Sequence, residues 1–291
     1  MYISGFTIVR NAIKYDYPVV ESIRSILPFC DEVVVAVGNS DDGTRELIAS
    51  IDPSKVRIID TVWDESIREG GSILAVETNK ALAAVSRDAD WAFYIQADEV
   101  VHEAYQKQIR QGMEQYLASP AVEGLLFNYK HFWGSYEWVG DSRKWYRREV
   151  RIIRPDRDIS SYKDAQGFRR GNQKIRVKLL DAWIYHYGWV KPPSAQQAKQ
   201  QAFHKLWHDE AWIRKNIPPV REFDYSIINS LSRFSGEHPA VMQSRIVQQN
   251  WVFEPQPNIK PLSHRHLLLD RIEKRSGWRV GEYKNYKEIN D

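Results

Sequence analysis

Cysteine is almost missing from this chain of 291 residues, with Cys30 the single example. One thiol excludes an intramolecular disulfide and a zinc cluster built on thiolates. Its place between Phe29 and Asp31 reads as a quiet, semi-buried side chain rather than a nucleophile. Long apolar runs are also missing. None approaches the roughly 20 residues that cross a bilayer, and no basic segment followed by an apolar one opens the chain. The chain is therefore read as cytoplasmic, with peripheral contact at the inner face of a membrane as its closest approach to lipid. A strong excess of one charge is absent. The 41 Lys and Arg face 38 Asp and Glu, a net +3, which argues against a dedicated nucleic-acid binder. Neither a GxGxxG nor a Walker A pattern occurs, and there is no internal repeat or low-complexity segment.

What the chain does have is aromatic side chains: 11 Trp, 15 Tyr and 10 Phe. These serve a bulky core or a sugar-binding cleft equally well. The hydrophobic content of 43% allows a sizeable core, and the length suits one large domain or two smaller ones. The opening residues Ile3 to Val9 form a strand, and Pro18 opens a helix with Val19, Ile23, Ile26 and Leu27 on one face. Val33 to Val37 is an unbroken apolar run of the kind covered on both faces in a parallel sheet. The turn Gly38-Asn39-Ser40-Asp41-Asp42-Gly43 is rich in capping residues. A helix over Thr44 to Ile51, a strand over Val56 to Ile59, a polar loop over Trp63 to Gly71 and a helix over Ser72 to Val85 follow. This alternation specifies a parallel sheet with right-handed crossovers.

Beyond it, Glu103 to Leu117 reads as helix and Val122 to Tyr129 as strand. His131 to Tyr146 reads as an aromatic loop. Arg143 to Arg154 carries six basic side chains, with a strand at Ile152-Ile153. That run is either a phosphate-holding segment or a solvated edge strand bearing protective charges. A short run ends in Tyr185-His186-Tyr187. Pro192-Pro193 marks a boundary, and helices are expected over Ala195 to Lys215, ended by Ile217-Pro218-Pro219, then over Tyr225 to Phe234 and Pro239 to Gln249.

The chemistry centres on Trp91-Ala92-Phe93-Tyr94-Ile95-Gln96-Ala97-Asp98-Glu99-Val100. An apolar strand stops there at a cluster of polar atoms, where open α/β sheets bind ligands. Adjacent acids are hard oxygen donors suited to Mg²⁺ or Mn²⁺, and such an ion could hold a diphosphate. The plainer reading is a turn in which Asp98 caps the next helix. His186, among aromatics at a strand end, is likewise a metal ligand or a satisfied core histidine.

These residues resemble the family 2 glycosyltransferases, which have the GT-A fold, over about residues 1–190. Val9-Arg10-Asn11 is similar to that family's opening strand end. Val33 to Thr44 is similar to its V-V-D-D-G-S-x-D-G-T motif, and Gly70-Gly71 through Asn79 to its segment ending in A-R-N. Gln96-Ala97-Asp98-Glu99 stands where the family has D-x-D. Two acids depart from the pattern, replaced by Gly38 and Gln96. The resemblance implies a GT-A-like, mostly parallel sheet with helices on both faces over 1–190, and a mainly helical extension over 191–291 packed on it. It implies transfer of a sugar from a nucleotide-diphosphate donor to a glycan or lipid-linked acceptor hydroxyl, metal-dependent and with inversion, in polysaccharide assembly. It places Arg10, Asn11, Gly38, Ser40, Asp42, Gly71, Asn79 and Gln96 around the nucleotide sugar. Asp98, assisted by Glu99 and completed by His186, would hold the Mn²⁺ or Mg²⁺. Asp164 would be the base, with Asp141 in reserve. The other readings are an inactive nucleotide- or glycan-binding module, which the two lost acids favour, and a sugar nucleotidyltransferase, whose glycine-rich phosphate loop is absent after Val9.

Overall fold

The computed structural model describes residues 1–217, 220–226, 228, 230–255 and 263–289. Its first half follows the expected alternation: β1 (Ile3–Val9), α1 (Val19–Ile26), β2 (Glu32–Val37), α2 (Thr44–Ala49), β3 (Val56–Asp60), α3 (Ser72–Ala83) and β4 (Trp91–Tyr94). Strand β1 lies between β2 and β4 and is parallel to both, and β3 extends the parallel set beyond β2. The apolar run of β2 is buried throughout from Val33 to Val37, as a strand covered on both faces must be. Helix α1 packs Val19, Ile23 and Ile26 on one face of the sheet. Helix α3 packs Ile73 and Ala81 on the other.

The apolar strand at Trp91 stops before the polar cluster, as expected, and a second strand follows it. β4 stops at Tyr94, the chain turns tightly with Glu99 N–H donating to the Gln96 carbonyl at 3.0 Å, and β5 (Glu99–Val101) begins. A short 3₁₀ turn leads into α4 (Gln106–Gln115). The sheet then becomes mixed through β6 (Gly124–Trp133), β7 (Trp138–Gly140), β8 (Arg148–Ile153) and β12 (Arg176–Trp189). Between the last two, β9 (Ile159–Tyr162), β10 (Gly167–Arg170) and β11 (Gln173–Lys174) form a separate three-stranded sheet. Strand β8 is antiparallel to both β4 and β6. It is thus internal, and the edge-strand expectation for the basic run fails. The expected aromatic loop is sheet in part, at Trp133 and before it and again over β7. β6 runs on to Trp133 because it pairs along its length with β12, and its rings pack on that strand, Phe132 stacked on Tyr187 at 4.8 Å and Trp133 tilted against Trp189 at 4.8 Å.

After β12 the chain forms α5 (Pro193–His204), α6 (Glu210–Asn216), β13 (Leu231–Arg233), α7 (Gln243–Val247), α8 (His264–Ser276) and β14 (Lys287–Glu288). The single helix expected over Ala195 to Lys215 is broken, and Asp209 caps the second piece by accepting from Trp212 N–H at 2.7 Å. The stretch expected as helix over Tyr225 to Phe234 instead contains β13, and its residues 227 and 229, like Pro218-Pro219, lie outside the described residues. β14 pairs in parallel with the start of β12. The fold is mixed α/β on a mostly parallel central sheet.

Candidate active site

The carboxyl ends of β1, β4 and β12 open into one cleft of about 450 Å³, roofed by α5. Arg10, Gln96, Asp98, Asp164, His186 and Lys199 line it, with Trp63, Trp189, Phe203 and Trp207 as walls. An adjoining hollow of about 460 Å³ shares Arg10, Trp63 and Lys199 with it and adds Asn11 and Asp41. Its place beyond the strand ends is where open α/β sheets bind ligands.

Asp98 sits on the turn between β4 and β5. Lys199 donates to its Oδ2 at 3.1 Å and to the Gly188 carbonyl at 3.0 Å. The ammonium also lies 4.8 Å from the centre of the Tyr17 ring. Burial alone would raise the Asp98 carboxyl, but nearby positive charge, that of Lys199 foremost, outweighs it and holds it well below the usual carboxylate range. Burial likewise opposes the Lys199 ammonium, and Tyr17 and Asp98 overcome it, so its pKa is raised. A second buried lysine, Lys191, donates to the Tyr15 and Asp16 carbonyls at 2.8 and 3.2 Å. Burial, reinforced by Lys199, pushes it well down. Gly188 lets these groups meet, because a Cβ there would stand 2.7 Å from Asp98 Oδ2 and 2.8 Å from His186 Nε2.

His186 Nε2 stands 3.7 Å from Asp98 Oδ1, beyond hydrogen-bond reach. A carboxylate oxygen and an imidazole nitrogen facing each other in this way are a donor pair for a divalent cation, with the remaining positions open to ligand oxygens. The donor chemistry therefore fits an Mn²⁺ or Mg²⁺ held by Asp98 and His186. Among the described residues no cluster of three His, Cys, Asp or Glu forms a fuller metal cage.

Glu99 is not part of that pair. As the first residue of β5 it points into the interior, fully buried, and receives Arg151 Nε and Nη2 at 2.7 Å each and Tyr129 O–H at 2.8 Å. Its carboxylate is consumed by a buried ion pair, so the expected metal role fails. Asp141 is exposed in a different hollow, with Trp145, Arg147 and Arg279, and the reserve base is thereby out of reach of the cleft.

Asp164 does line the cleft. Burial pushes its carboxyl above the usual range. Its two neighbours both take left-handed backbone, Lys163 at φ 52° and Ala165 at φ 59°, a conformation that costs non-glycine residues roughly 1–3 kcal/mol each and gathers at functional sites. Gln96 links the Asp98 turn to this loop, its Nε2 donating to the Ala165 carbonyl at 3.3 Å. The position where the family carries its first acid is here a strut.

On the expected nucleotide side, Arg10 lines both hollows and pairs with Glu65 at 2.9 Å. Asn11 takes left-handed backbone at φ 54°. Its N–H donates to Ser40 Oγ at 3.0 Å and its Oδ1 accepts from Asp41 N–H at 3.0 Å, so Ser40 shapes the rim without lining it. Asp42 accepts from Lys14 and Thr44 N–H groups at 2.8 and 3.1 Å, tying the β1 loop to α2. Asn79 is turned away, exchanging hydrogen bonds with the Ser161 backbone at 2.7 and 3.2 Å. It fastens α3 to β9 and is not a ligand contact. Gly38 and Gly71 also lie outside the cleft. A Cβ at Gly38 would stand 2.5 Å from the Trp63 indole, and one at Gly71, where φ is +71°, would stand 2.6 Å from Trp207. These glycines seat the tryptophan walls.

Lys199, Lys191 and His131 were not foreseen. Lys199 is a lone cation in the Ala- and Gln-rich stretch Ala195 to Ala202. No local pattern connects it with an aspartate 101 residues away.

No family model matches the chain, and no curated protein does. Solved structures do. S. aureus TarS 1–349 in complex with UDP shares 16% identity at a TM-score of 0.43, over 70% of this chain and 64% of that one. Glucosyl-3-phosphoglycerate synthase from Mycobacterium tuberculosis, in complex with Mn²⁺, UDP and phosphoglyceric acid, shares 20% identity at a TM-score of 0.29, over 45% and 43%. 4-Diphosphocytidyl-2C-methyl-D-erythritol synthase from Anaerococcus prevotii shares 10% at 0.34, over 53% and 71%. The chain spans 39% of the longer TarS structure, less than two thirds of it. The likeness to these proteins is thus one of arrangement over part of the chain.

Proposed function

We propose that the chain is a glycosyltransferase that moves a sugar from a nucleotide-diphosphate donor to a hydroxyl of a glycan or lipid-linked acceptor, with inversion. The observation that carries this reading is the convergence of Asp98, His186, Lys199 and Asp164 on one cleft at the strand ends. Sugar transfer passes through an oxocarbenium-like state. It needs positive charge against the departing diphosphate and a carboxylate to take the acceptor proton. Lys199 and Arg10 supply fixed positive charge on the donor side. A divalent ion held by Asp98 and His186 would supply further Lewis-acid neutralisation of the diphosphate. Asp164, held by its two strained neighbours, accepts the proton of the attacking hydroxyl. Its raised pKa makes it a stronger base than an exposed aspartate. Trp189, Phe203 and Trp207 offer faces for sugar rings.

No helix among the described residues is long and apolar enough to cross a membrane. The reading takes the protein to work in the cytoplasm, in polysaccharide assembly, meeting a lipid-linked acceptor from the surface. The test is thermal stability against a panel of nucleoside diphosphates, each with and without Mn²⁺, in wild type and Asp98→Ala. Binding to the native state raises the melting temperature by mass action. A rise with one nucleotide that needs both Mn²⁺ and Asp98 is expected and names the donor base. No rise with any nucleotide refutes the reading. Product analysis then separates transfer from nucleotide-sugar synthesis, and retention of donor configuration would rule out direct displacement.

A further inference from the structure

We propose that His131 is a positioning residue that fixes the proton of His186 on Nδ1, so that His186 presents a bare Nε2 lone pair to the space before Asp98. The inference rests on the reading of Asp98 and His186 as holders of a divalent cation. It begins at the Tyr146 carbonyl, which lies 2.8 Å from His131 Nε2. A carbonyl only accepts, so His131 Nε2 carries a hydrogen. His131 Nδ1 in turn lies 3.2 Å from His186 Nδ1. Two ring nitrogens at that separation share one hydrogen.

The ring of His131 cannot turn to relieve this. It is 3% exposed and held between Tyr129 and Trp145, stacked at 5.5 and 4.9 Å, with the Tyr146 ring edge-on at 4.4 Å. A second hydrogen on His131 would place a charge among three aromatic rings, which burial disfavours. With its single hydrogen on Nε2, His131 Nδ1 is the acceptor and His186 Nδ1 the donor. His186 Nε2 then has no hydrogen and faces Asp98 Oδ1 at 3.7 Å.

Two acceptors held face to face repel each other unless a cation stands between them. The relay Tyr146 carbonyl, His131, His186 is therefore built in the direction that a metal ligand needs, since a ligating histidine gives its other N–H to a fixed acceptor. A histidine serving packing alone has no need of a particular proton order. His131 also comes from β6 and His186 from β12, at paired positions of the two strands, so the register of the sheet sets the spacing.

The test uses the full chain. Long-range ¹⁵N–¹H correlation on histidine-labelled wild type reads each ring directly. The expected result is a hydrogen on His186 Nδ1 and on His131 Nε2, with His186 Nε2 bare. Mn²⁺ alone is then titrated by electron paramagnetic resonance, in which the free-ion signal falls on binding. His131→Phe removes the acceptor and should weaken Mn²⁺ about 10–100-fold, the usual effect of losing such an outer partner. His131→Gln, whose carbonyl can still accept, should restore most of the affinity. A hydrogen on His186 Nε2, singly or as the imidazolium, overturns the proposal, and so does His131→Phe binding Mn²⁺ as wild type does. Wild type that binds no Mn²⁺ overturns it too. A melting rise with a nucleoside diphosphate in EDTA would in that case leave the transferase reading standing. The spectra of wild type decide the proton order even if the phenylalanine variant does not fold.

Discussion

Replacing Glu99 by Gln separates two roles that its place beside Asp98 confuses. In the structure Glu99 and Arg151 are both fully buried and joined by two bonds of 2.7 Å, with Tyr129 O–H and Gln96 N–H completing the carboxylate at 2.8 and 3.1 Å. The amide keeps the shape and removes the charge, leaving the Arg151 guanidinium buried without a counter-ion. Breaking a buried pair from one side costs about 3–5 kcal/mol. At about 2–4 °C per kcal/mol for large domains, the melting temperature should fall by roughly 6–20 °C. Urea unfolding followed by tryptophan fluorescence measures the same loss, and Glu99→Gln combined with Arg151→Met should recover much of it. Mn²⁺ affinity, read well below the melting point, should stay within about threefold of wild type, because a structural loss left in a folded site costs no ligand. A variant that melts within a degree of wild type but no longer binds Mn²⁺ would refute the reasoning and restore Glu99 as a metal ligand.

Other changes test the remaining parts of the cleft. Lys199→Met removes a charge-assisted bond of the kind worth about 1.5–3 kcal/mol, and nucleoside diphosphate affinity by calorimetry should fall about 10–150-fold. Asp164→Asn should lower turnover about 10²–10⁴-fold with donor affinity unchanged, and it should abolish the acid limb of the wild-type rate profile. Because the Asp164 pKa is raised and the base works ionised, that limb should lie at higher pH than for an ordinary aspartate. Gly71→Ala should destabilise the chain by about 1–2 kcal/mol through its left-handed backbone and displace Trp207, seen as a shift in tryptophan emission. Cys30 is buried, and burial raises its thiol, so native protein should resist iodoacetamide and react only when unfolded.

The first half of the fold was legible because its signals are local. The unbroken run Val33 to Val37, the proline at 18 and the capping turn at Gly38 to Gly43 each act within a few residues. The motif order likewise marked Arg10, Gln96 and Asp98, whereas Asp164 and His186, which also line the cleft, were chosen for their place in the later half and belong to no quoted motif. Local signals failed where partners are distant. Glu99 reads as a second acid beside Asp98, yet one step along a tight turn reverses its direction, and the arginine that consumes it is 52 residues away. Asn79 and Gly71 sit in a family-like segment, but their partners are Ser161 and Trp207. The basic run read as either a phosphate-holding segment or an exposed edge, since nothing in Arg148 to Ile153 announces that β4 and β6 flank it. The aromatic stretch read as loop, because the strand that pairs with it lies more than 40 residues on.

The roof formed by α5 bears on how this protein can be recombined with others. A shuffling experiment that cut at the proline pair near residue 192, the natural-looking seam, would transplant a sheet whose aspartate had lost its lysine. The exchangeable unit has to include α5 at least to His204. That unit also carries Gly188, without which the helix could not seat its ammonium against the carboxylate.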